Sequence, residues 1–290
     1  MKVFIDGRYY SKEDAKISVF DHGLLYGDGV FEGIRIYNGK AFLLEEHLTR
    51  LFNCAKVIML AIPYNKNELA EIIKDSIAQN DLNKNSDTGY IRLVVTRGVG
   101  DLGLDPAKCA KASVIIITNQ ITLYPAENYS KGIAIITSSV RRNPADSIDP
   151  KIKSLNYLNN ILAKIEAKNA GCLEALILNH NGFVAECTAD NIFIFANGIL
   201  MTPDPGCGSL EGITRDTVMK IAAKENITVQ QKNLTLYDIY TADECFITGS
   251  GAEIMPVVSV DKRVIGNGIP GEKTLYLLEK FRFFAKNSKF

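Results

Sequence analysis

The chain has 290 residues, with 33 Lys and Arg balanced by 33 Asp and Glu, and 47% of it is hydrophobic. A neutral chain with no basic run is a poor match for nucleic acid, and no apolar run is long enough to span a membrane. The length allows a substantial core in one large or two ordinary domains. The opening Met1-Lys2-Val3-Phe4-Ile5-Asp6-Gly7 reads directly as strand and turn, with no signal peptide. The six cysteines, at 54, 109, 172, 187, 207 and 245, include no CxxC pair, so reduced and mostly buried thiols of a cytoplasmic protein are expected. His22, His47 and His180 are too dispersed for a metal site, and none is expected.

Residues 1–20 alternate as strands do, with a turn at Gly7-Arg8 and a second strand over Ile17-Ser18-Val19-Phe20. From Asp21 to Gly39 the chain sets Gly27, Gly29 and Gly33 among aromatic and charged residues and ends on an Asn38-Gly39 hairpin turn. That spacing is neither a dinucleotide fingerprint nor a P-loop; a glycine-rich hairpin edge accounts for it. Leu44 to Lys56 has a helical period, stopped near Pro63, and Arg50 on it is either a solvated charge or an anion ligand. A second helix runs from Glu68 to Gln79. In the strand Gly89–Arg97, Tyr90, Arg92, Val94 and Thr96 share one face. That face is either an exposed sheet surface or a carboxylate site, since arginine grips a carboxylate with two parallel bonds. Residues 98–106 read as a loop and 112–118 as a buried strand, and the pattern breaks around Tyr124-Pro125-Ala126-Glu127-Asn128. The domain boundary is placed there: a small N-terminal domain over 1–122, a linker over 123–130 and a larger domain over 131–290.

A strand over 133–140 leads through Arg141-Arg142-Asn143-Pro144 to the segment Asp149–Asn160. Leu155, Leu158, Ile161, Leu162 and Ile165 follow one helix face, with Ser154 as the expected N-cap and Pro150 blocking an earlier start. Lys153 then stands just before the first turn of a partly buried helix. Burial and the positive end of the helix dipole would both disfavour its charged form, which suits Schiff-base chemistry. Farther on, a strand over 174–179 and a turn at Asn181-Gly182 precede the segment Val184–Asn191 and a strand over Ile192–Phe195. Glu186 stands between apolar runs, where a carboxylate is costly unless paired. Two partners fit: a buried structural cation, or a protonated ring nitrogen. Gly206 to Asp216 is a glycine-punctuated loop opening a helix, whose amides with the Thr214 hydroxyl make a phosphate-type cradle. Cys245 to Glu253 reads as a strand running into a second such turn.

A reactive lysine, a lone buried carboxylate, two anion loops and a Tyr/Arg face are together what pyridoxal phosphate asks of a protein. Seven motifs in order carry a closer likeness: Tyr26-Gly-Asp-Gly-Val-Phe-Glu-Gly-Ile-Arg35, His47-Leu-Thr-Arg50-Leu, Tyr90-Ile-Arg92, Lys153-Ser-Leu-Asn-Tyr157, Glu186 to Asn191-Ile-Phe193, Gly212-Ile-Thr214-Arg215-Asp216 and Thr248-Gly-Ser-Gly-Ala-Glu253. Over nearly its whole length the chain resembles the fold-type IV pyridoxal-phosphate enzymes, and among them most closely the branched-chain amino-acid aminotransferases. The resemblance implies a mixed α/β (α+β) fold with a small N-terminal domain, a larger cofactor-binding domain, and pyridoxal 5'-phosphate between them.

It also implies roles. Lys153 would carry the cofactor and move the proton at the substrate α-carbon; Lys151 is a rival that the Lys-Ser-Leu-Asn pattern disfavours. Glu186 would pair with the ring nitrogen, and Tyr157 would approach the phenolic oxygen. Arg50, the Ile213 and Thr214 amides, the Thr214 hydroxyl and Ser250 would hold the phosphate. Tyr26, Phe31 and Arg35 would line the substrate pocket, and Tyr90 and Arg92 would recognise carboxylate, Tyr90 from a neighbouring subunit. The turn through Ser250, Gly251 and Ala252 would offer amides to the substrate carboxylate. The implied substrates are L-leucine, L-isoleucine and L-valine with 2-oxoglutarate, in a homodimer or larger assembly. D-amino-acid aminotransferases share Lys-Ser-Leu-Asn and the Thr-Arg-Gly at 96–98, but follow it with an Arg-x-His pair that Val99 to Pro106 lacks; this favours the L-enzyme. Tyr90-Ile-Arg92 and Phe-Glu-Gly-Ile-Arg speak against aminodeoxychorismate lyase. R-selective amine transaminases and a cofactor-less binding protein complete the alternatives.

Overall fold

A computed structural model describes residues 1–84, 88–120 and 124–287; the expected boundary at residues 122 and 123 lies outside them. The described residues gather into two compact units. One holds those between 1 and 120 together with 152–156; the other holds 124–151 and 157–287.

The first unit runs β1 (Lys2–Ile5), β2 (Arg8–Ser11), α1 (His22–Tyr26), β3 (Gly29–Tyr37), β4 (Lys40–Ala41), α2 (Leu44–Val57), α3 (Lys66–Gln79), β5 (Gly89–Thr96) and β6 (Ser113–Asn119). Its strands pair antiparallel in the order β2-β1-β6-β5-β3-β4. On one face Ile34, Ile91, Leu93 and Val114 meet Leu48 of α2 and Leu69 and Ile73 of α3, all fully buried. Each such side chain contributes roughly 1.5–3 kcal/mol. Helix α3 starts at Lys66, two residues before the expected Glu68, behind an Asn65 cap: its side chain accepts from Glu68 N (3.0 Å), and the Glu68 carboxylate accepts from Asn65 N (2.7 Å). Ile17–Phe20 is not a strand. Asp6 (φ 48°) and Gly7 (φ 92°) fold the chain back at once, so Arg8–Ser11 takes the place beside β1.

The second unit comprises α4 (Ala126–Lys131), β7 (Ile133–Arg141), α5 (Ala145–Ile148), α6 (Leu158–Asn169), β8 (Glu174–Leu178), β9 (Val184–Cys187), β10 (Asn191–Ala196), β11 (Ile199–Pro203), α7 (Ile213–Lys224), β12 (Val229–Lys232), α8 (Leu236–Tyr240), β13 (Glu244–Gly249), β14 (Glu253–Val260), β15 (Arg263–Val264) and α9 (Glu272–Asn287). Its sheet is ordered β12-β11-β10-β13-β14-β7-β8-β9, with β15 on β14. The segment read as a linker carries α4, and Tyr129 on it donates to the Ala252 carbonyl (3.1 Å).

The helix after the lysine corrects two expectations. It begins at Leu158, with Tyr157 rather than Ser154 at the N-cap position. Its large aliphatic residues also face outward: Leu158, Ile161, Leu162 and Ile165 are 46–66% exposed, while Asn160, Ala163 and Ala167 are buried. The face of α6 that meets β7 and β8 takes alanines, and Asn160 satisfies its amide by donating to the Thr188 carbonyl (2.7 Å).

Candidate active site

In the first unit, residues 152–156 run as a strip along the start of β3. Phe31 N donates to Lys153 O and Leu155 N to Gly29 O, both at 3.0 Å, around an antiparallel bridge between Val30 and Ser154. Lys153 N donates to Cys54 Sγ on α2 (3.3 Å), and Asn156 Nδ2 donates to Gly27 O (2.9 Å). This close approach is what Gly29 allows: a Cβ there would stand 2.6 Å from Val95 O and 2.7 Å from Leu155 Cδ1. Lys153 is therefore placed by a strand graft and not by a helix terminus, which removes the dipole argument made for it. Its half-buried amine lies 4.5 Å from the centre of the Phe31 ring, a cation–π contact. Lys151, in the other unit, is 45% exposed and lies 3.9 Å from the exposed Glu211 carboxylate, the setting of an ordinary surface lysine.

Glu32 lies in the row of β3 that faces α2 and is fully buried. His47, Arg50 and Cys54, at i, i+3 and i+7, share the facing stripe of that helix. Arg50 forks onto Glu32 (Nε to Oε1 2.7 Å, Nη2 to Oε2 2.8 Å), and His47 Nδ1 meets Oε2 at 2.7 Å. Burial alone would raise the Glu32 carboxyl, but the Arg50 charge, then His47, and the bonds from both outweigh it and hold the group well below the usual carboxylate range. Burial pushes His47 below its ordinary 6.5, against the pull of Glu32. The consistent arrangement is an ionised Glu32 accepting from a neutral His47 Nδ1–H and from cationic Arg50. Sequence reading passed over Glu32 and His47. Their signal was a lone carboxylate in an apolar strand row, followed by a His and an Arg three residues apart.

Both depressed values make the folded state bind fewer protons than the unfolded chain, so stability falls as pH falls. His47 contributes this loss below about pH 6.5, and Glu32 below its unfolded value near 4.5. The melting temperature is expected to drop between pH 7 and 5, and His47→Gln, which does not titrate, should flatten that part of the curve. Equal slopes for the two proteins would contradict a neutral buried His47.

The opposite face of the sheet pairs Phe31 with Val94, Gly33 with Arg92 and Arg35 with Tyr90. The Arg92 guanidinium lies 4.6 Å from the Phe31 ring centre and 5.8 Å from that of Tyr90. Tyr90 crosses over Gly33, where a Cβ would stand 1.8 Å from its hydroxyl. Arg35 lies 5.7 Å from the Tyr37 ring, and its buried Nε has no hydrogen-bond partner among the described residues. Tyr26 closes α1, and its hydroxyl accepts from Gly103 N (3.0 Å), tying down the loop over 98–106. The structure thus brings Lys153, Arg50, Phe31, Arg35, Tyr90 and Arg92 into one unit, with two arginines and an aromatic ring on one sheet face.

In the second unit Glu186 on β9 is buried. The guanidinium of Arg142, itself 6% exposed, donates through Nη2 to Glu186 Oε1. Glu186 Oε2 accepts from Asn191 Nδ2 (3.1 Å) and Leu210 N (2.9 Å). Of the two partners open to Glu186 from sequence, the buried cation is present in the fold, and it is Arg142, which had carried no role. Helix α7 starts at Ile213 behind Gly212, an N-cap residue with no side chain to bond the first amides. A Cβ on Gly212 would stand 1.9 Å from Asn191 Oδ1. Ser250, Gly251 and Ala252 form the turn between β13 and β14, close in sequence to Thr248, whose buried hydroxyl has no hydrogen-bond partner among the described residues. A helix start behind a glycine, the Thr214 and Thr248 hydroxyls and a buried, paired carboxylate in the same unit fit a phosphorylated aromatic cofactor.

Residues 29–260 match the family model for amino-transferase class IV, which spans most of the chain. The chain is a class IV aminotransferase. Pyridoxal 5'-phosphate is the cofactor of this fold type. A putative branched-chain-amino-acid aminotransferase of Methanocaldococcus jannaschii is 52% identical over 97% of this chain and 96% of its own length. A D-alanine aminotransferase of Listeria monocytogenes is 37% identical over 97% of this chain and 95% of its own length. The crystal structure of the T.th. branched-chain amino acid aminotransferase with pyridoxamine 5'-phosphate is 37% identical and superposes with a TM-score of 0.94, covering 99% of this chain and 95% of that one. The class IV aminotransferase accordingly has the mixed α/β fold of type IV, and no helix among its described residues is long and apolar enough to cross a membrane.

Proposed function

We propose that this class IV aminotransferase transfers the amino group of L-leucine, L-isoleucine and L-valine to 2-oxoglutarate, giving branched 2-oxo acids and L-glutamate. The observation that carries the reading is the face shared by β3 and β5. Phe31 and Val94 offer an apolar floor for an aliphatic side chain, and Arg35 and Arg92 beside them offer two cations for a dicarboxylate. The branched-chain enzymes among its relatives support the same substrate class.

Bound pyridoxal phosphate supplies an electron sink for the bonds at the substrate α-carbon. The chain's residues do the rest. Lys153 would hold the cofactor and carry the proton to and from the α-carbon, and the backbone graft on β3 fixes where its amine can reach. In the first unit Arg50, aimed by Glu32, would bind phosphate, and in the second the Ile213 and Thr214 amides, the Thr214 hydroxyl and Ser250 would do so. Tyr157 would meet the phenolic oxygen and Glu186 the ring nitrogen. Tyr90 and Arg92, with the amides of Gly251 and Ala252, hold the substrate carboxylate, while Tyr26 lines the pocket and steadies the loop over 98–106. That loop has no arginine or histidine to grip a carboxylate from the other side, which supports L- over D-substrates.

A homodimer or larger homo-oligomer is part of the proposal. It is supported by an exposed aliphatic stripe on α6 and by exposed Val19, Phe20, Leu24, Leu102 and Leu104 in the first unit, apolar surface of the kind that assembly covers. The six unbridged cysteines support a cytoplasmic location.

The test is the visible absorption of the purified holoenzyme. L-leucine without an oxo acid should bleach the cofactor band to the pyridoxamine form, and 2-oxoglutarate should restore it. A band discharged by D-alanine and not by L-leucine would overturn the substrate assignment, and recovery with pyruvate but not 2-oxoglutarate would overturn the acceptor.

A further inference from the structure

Glu186 accepts hydrogen bonds from Arg142, Asn191 and Leu210, and those from Asn191 Nδ2 and Leu210 N come from neutral donors on one oxygen. Those two suffice to fix where the carboxylate points. The bond from Arg142 comes from a full cation, and a good deal of structure is spent on holding it. The Arg142 backbone is tied to β8 through its N–H to Leu178 O (2.9 Å), and its Nε donates to Gly208 O (2.9 Å), so the guanidinium plane is set before Nη2 reaches Glu186 Oε1. Both side chains are 7% exposed, so water does little to screen one charge from the other.

We propose that Arg142 is a positioning residue that keeps the Glu186 carboxylate ionised, so that a proton shared between Glu186 and a bound ring nitrogen stays on the nitrogen. The inference rests on the reading of Glu186 as the ring-nitrogen partner. A buried carboxylate with only neutral donors is a stronger base than one facing a cation, and an opposite charge at contact biases the proton by about 10- to 1000-fold. With Arg142 in place the pair is a protonated ring beside an ionised carboxylate, and the ring draws electrons strongly. Without it the proton moves to the Glu186 oxygen, the nitrogen lone pair is freed, and a neutral pair results. Arg142 thus acts through Glu186 without touching cofactor or substrate.

The experiment loads the wild-type protein, Arg142→Gln and Arg142→Lys with pyridoxal phosphate labelled with 15N at the ring nitrogen. It records the 15N chemical shift and the steady-state constants. The wild type should give the shift of a protonated ring. Arg142→Gln should give that of an unprotonated ring and lose kcat about 10- to 1000-fold with little change in KM, while Arg142→Lys, which keeps the charge, should retain protonation and most of the rate. A protonated ring in Arg142→Gln would overturn the proposal. Should that variant not fold, Arg142→Lys decides: a protonated ring supports the role of charge, and an unprotonated one overturns it. Failure of the wild-type protein to take up the labelled cofactor would instead overturn the functional reading on which the inference rests.

Discussion

Lys153→Ala should lower turnover by at least about 10⁴-fold, the upper end of what a positioned proton carrier contributes, because in the proposed role the same side chain would also supply covalent catalysis. The fold should tolerate the change. What holds the strip to β3 is main chain: Phe31 N to Lys153 O, Leu155 N to Gly29 O and Lys153 N to Cys54 Sγ, all of which an alanine keeps. The lost contact is the amine over the Phe31 ring, worth about 0.5–2 kcal/mol. Rate and stability are therefore expected to separate, with a melting temperature within a few degrees of the wild type and cofactor still held through the phosphate donors. Steady-state assays, thermal melts and mass spectrometry for a covalent adduct check this. A fully active Lys153→Ala would rule out the lysine, and Lys151, exposed in the other unit, would have to be tested in its place.

Glu186→Ala should fail in both respects. Loss of the ring-nitrogen partner should reduce the rate about 10²- to 10⁴-fold, by analogy with other groups that act on a proton in the transition state. The Arg142 pairing adds a cost that a solvent-facing carboxylate would not carry. Removing one partner leaves a buried guanidinium uncompensated, at about 3–5 kcal/mol. For a unit of this size that corresponds to a fall in melting temperature on the order of 10 °C. The double change Glu186→Gln with Arg142→Met should recover much of the stability and none of the rate. Near-normal rates in Glu186→Ala would end the electron-sink role, and an unchanged melting temperature would mean the pair with Arg142 is not closed in solution.

Much of the first unit could be read from local pattern. The period of α2, the alternation of β5 and the turn residues before β4 each state their own conformation, and Tyr90 and Arg92 do share a sheet face with Val94 as their spacing implies. The lysine segment was misread because its partner is distant in sequence. Nothing between Asp149 and Asn160 records that Gly29 leaves room for Leu155, so the apolar residues there suggested a helix three residues too early and facing the wrong way. The same blindness to long-range pairing hid Glu32 behind its apolar neighbours and left Arg142 without a role. The roles proposed for Lys153 and Glu186 come from the residue types a cofactor demands and from the order of the family motifs. The contacts around them come partly from motif residues, Gly29, Phe31 and Asn191, and partly from Cys54 and Arg142, which lie in no motif.

The strip at 152–156 belongs to the N-terminal unit although about thirty residues of the other unit separate it from β6. During synthesis, a ribosome that has released residues 1–120 has not yet delivered the segment that pairs with Gly29 and Phe31. At roughly 5–20 residues per second the wait for these residues alone lasts a few seconds. Through that interval the start of β3 presents unpaired main-chain groups, the kind of edge that another chain can capture. A fragment ending near residue 120 is therefore expected to be sticky and poorly ordered, and the enzyme's N-terminal half to mature only when the strand bearing Lys153 arrives.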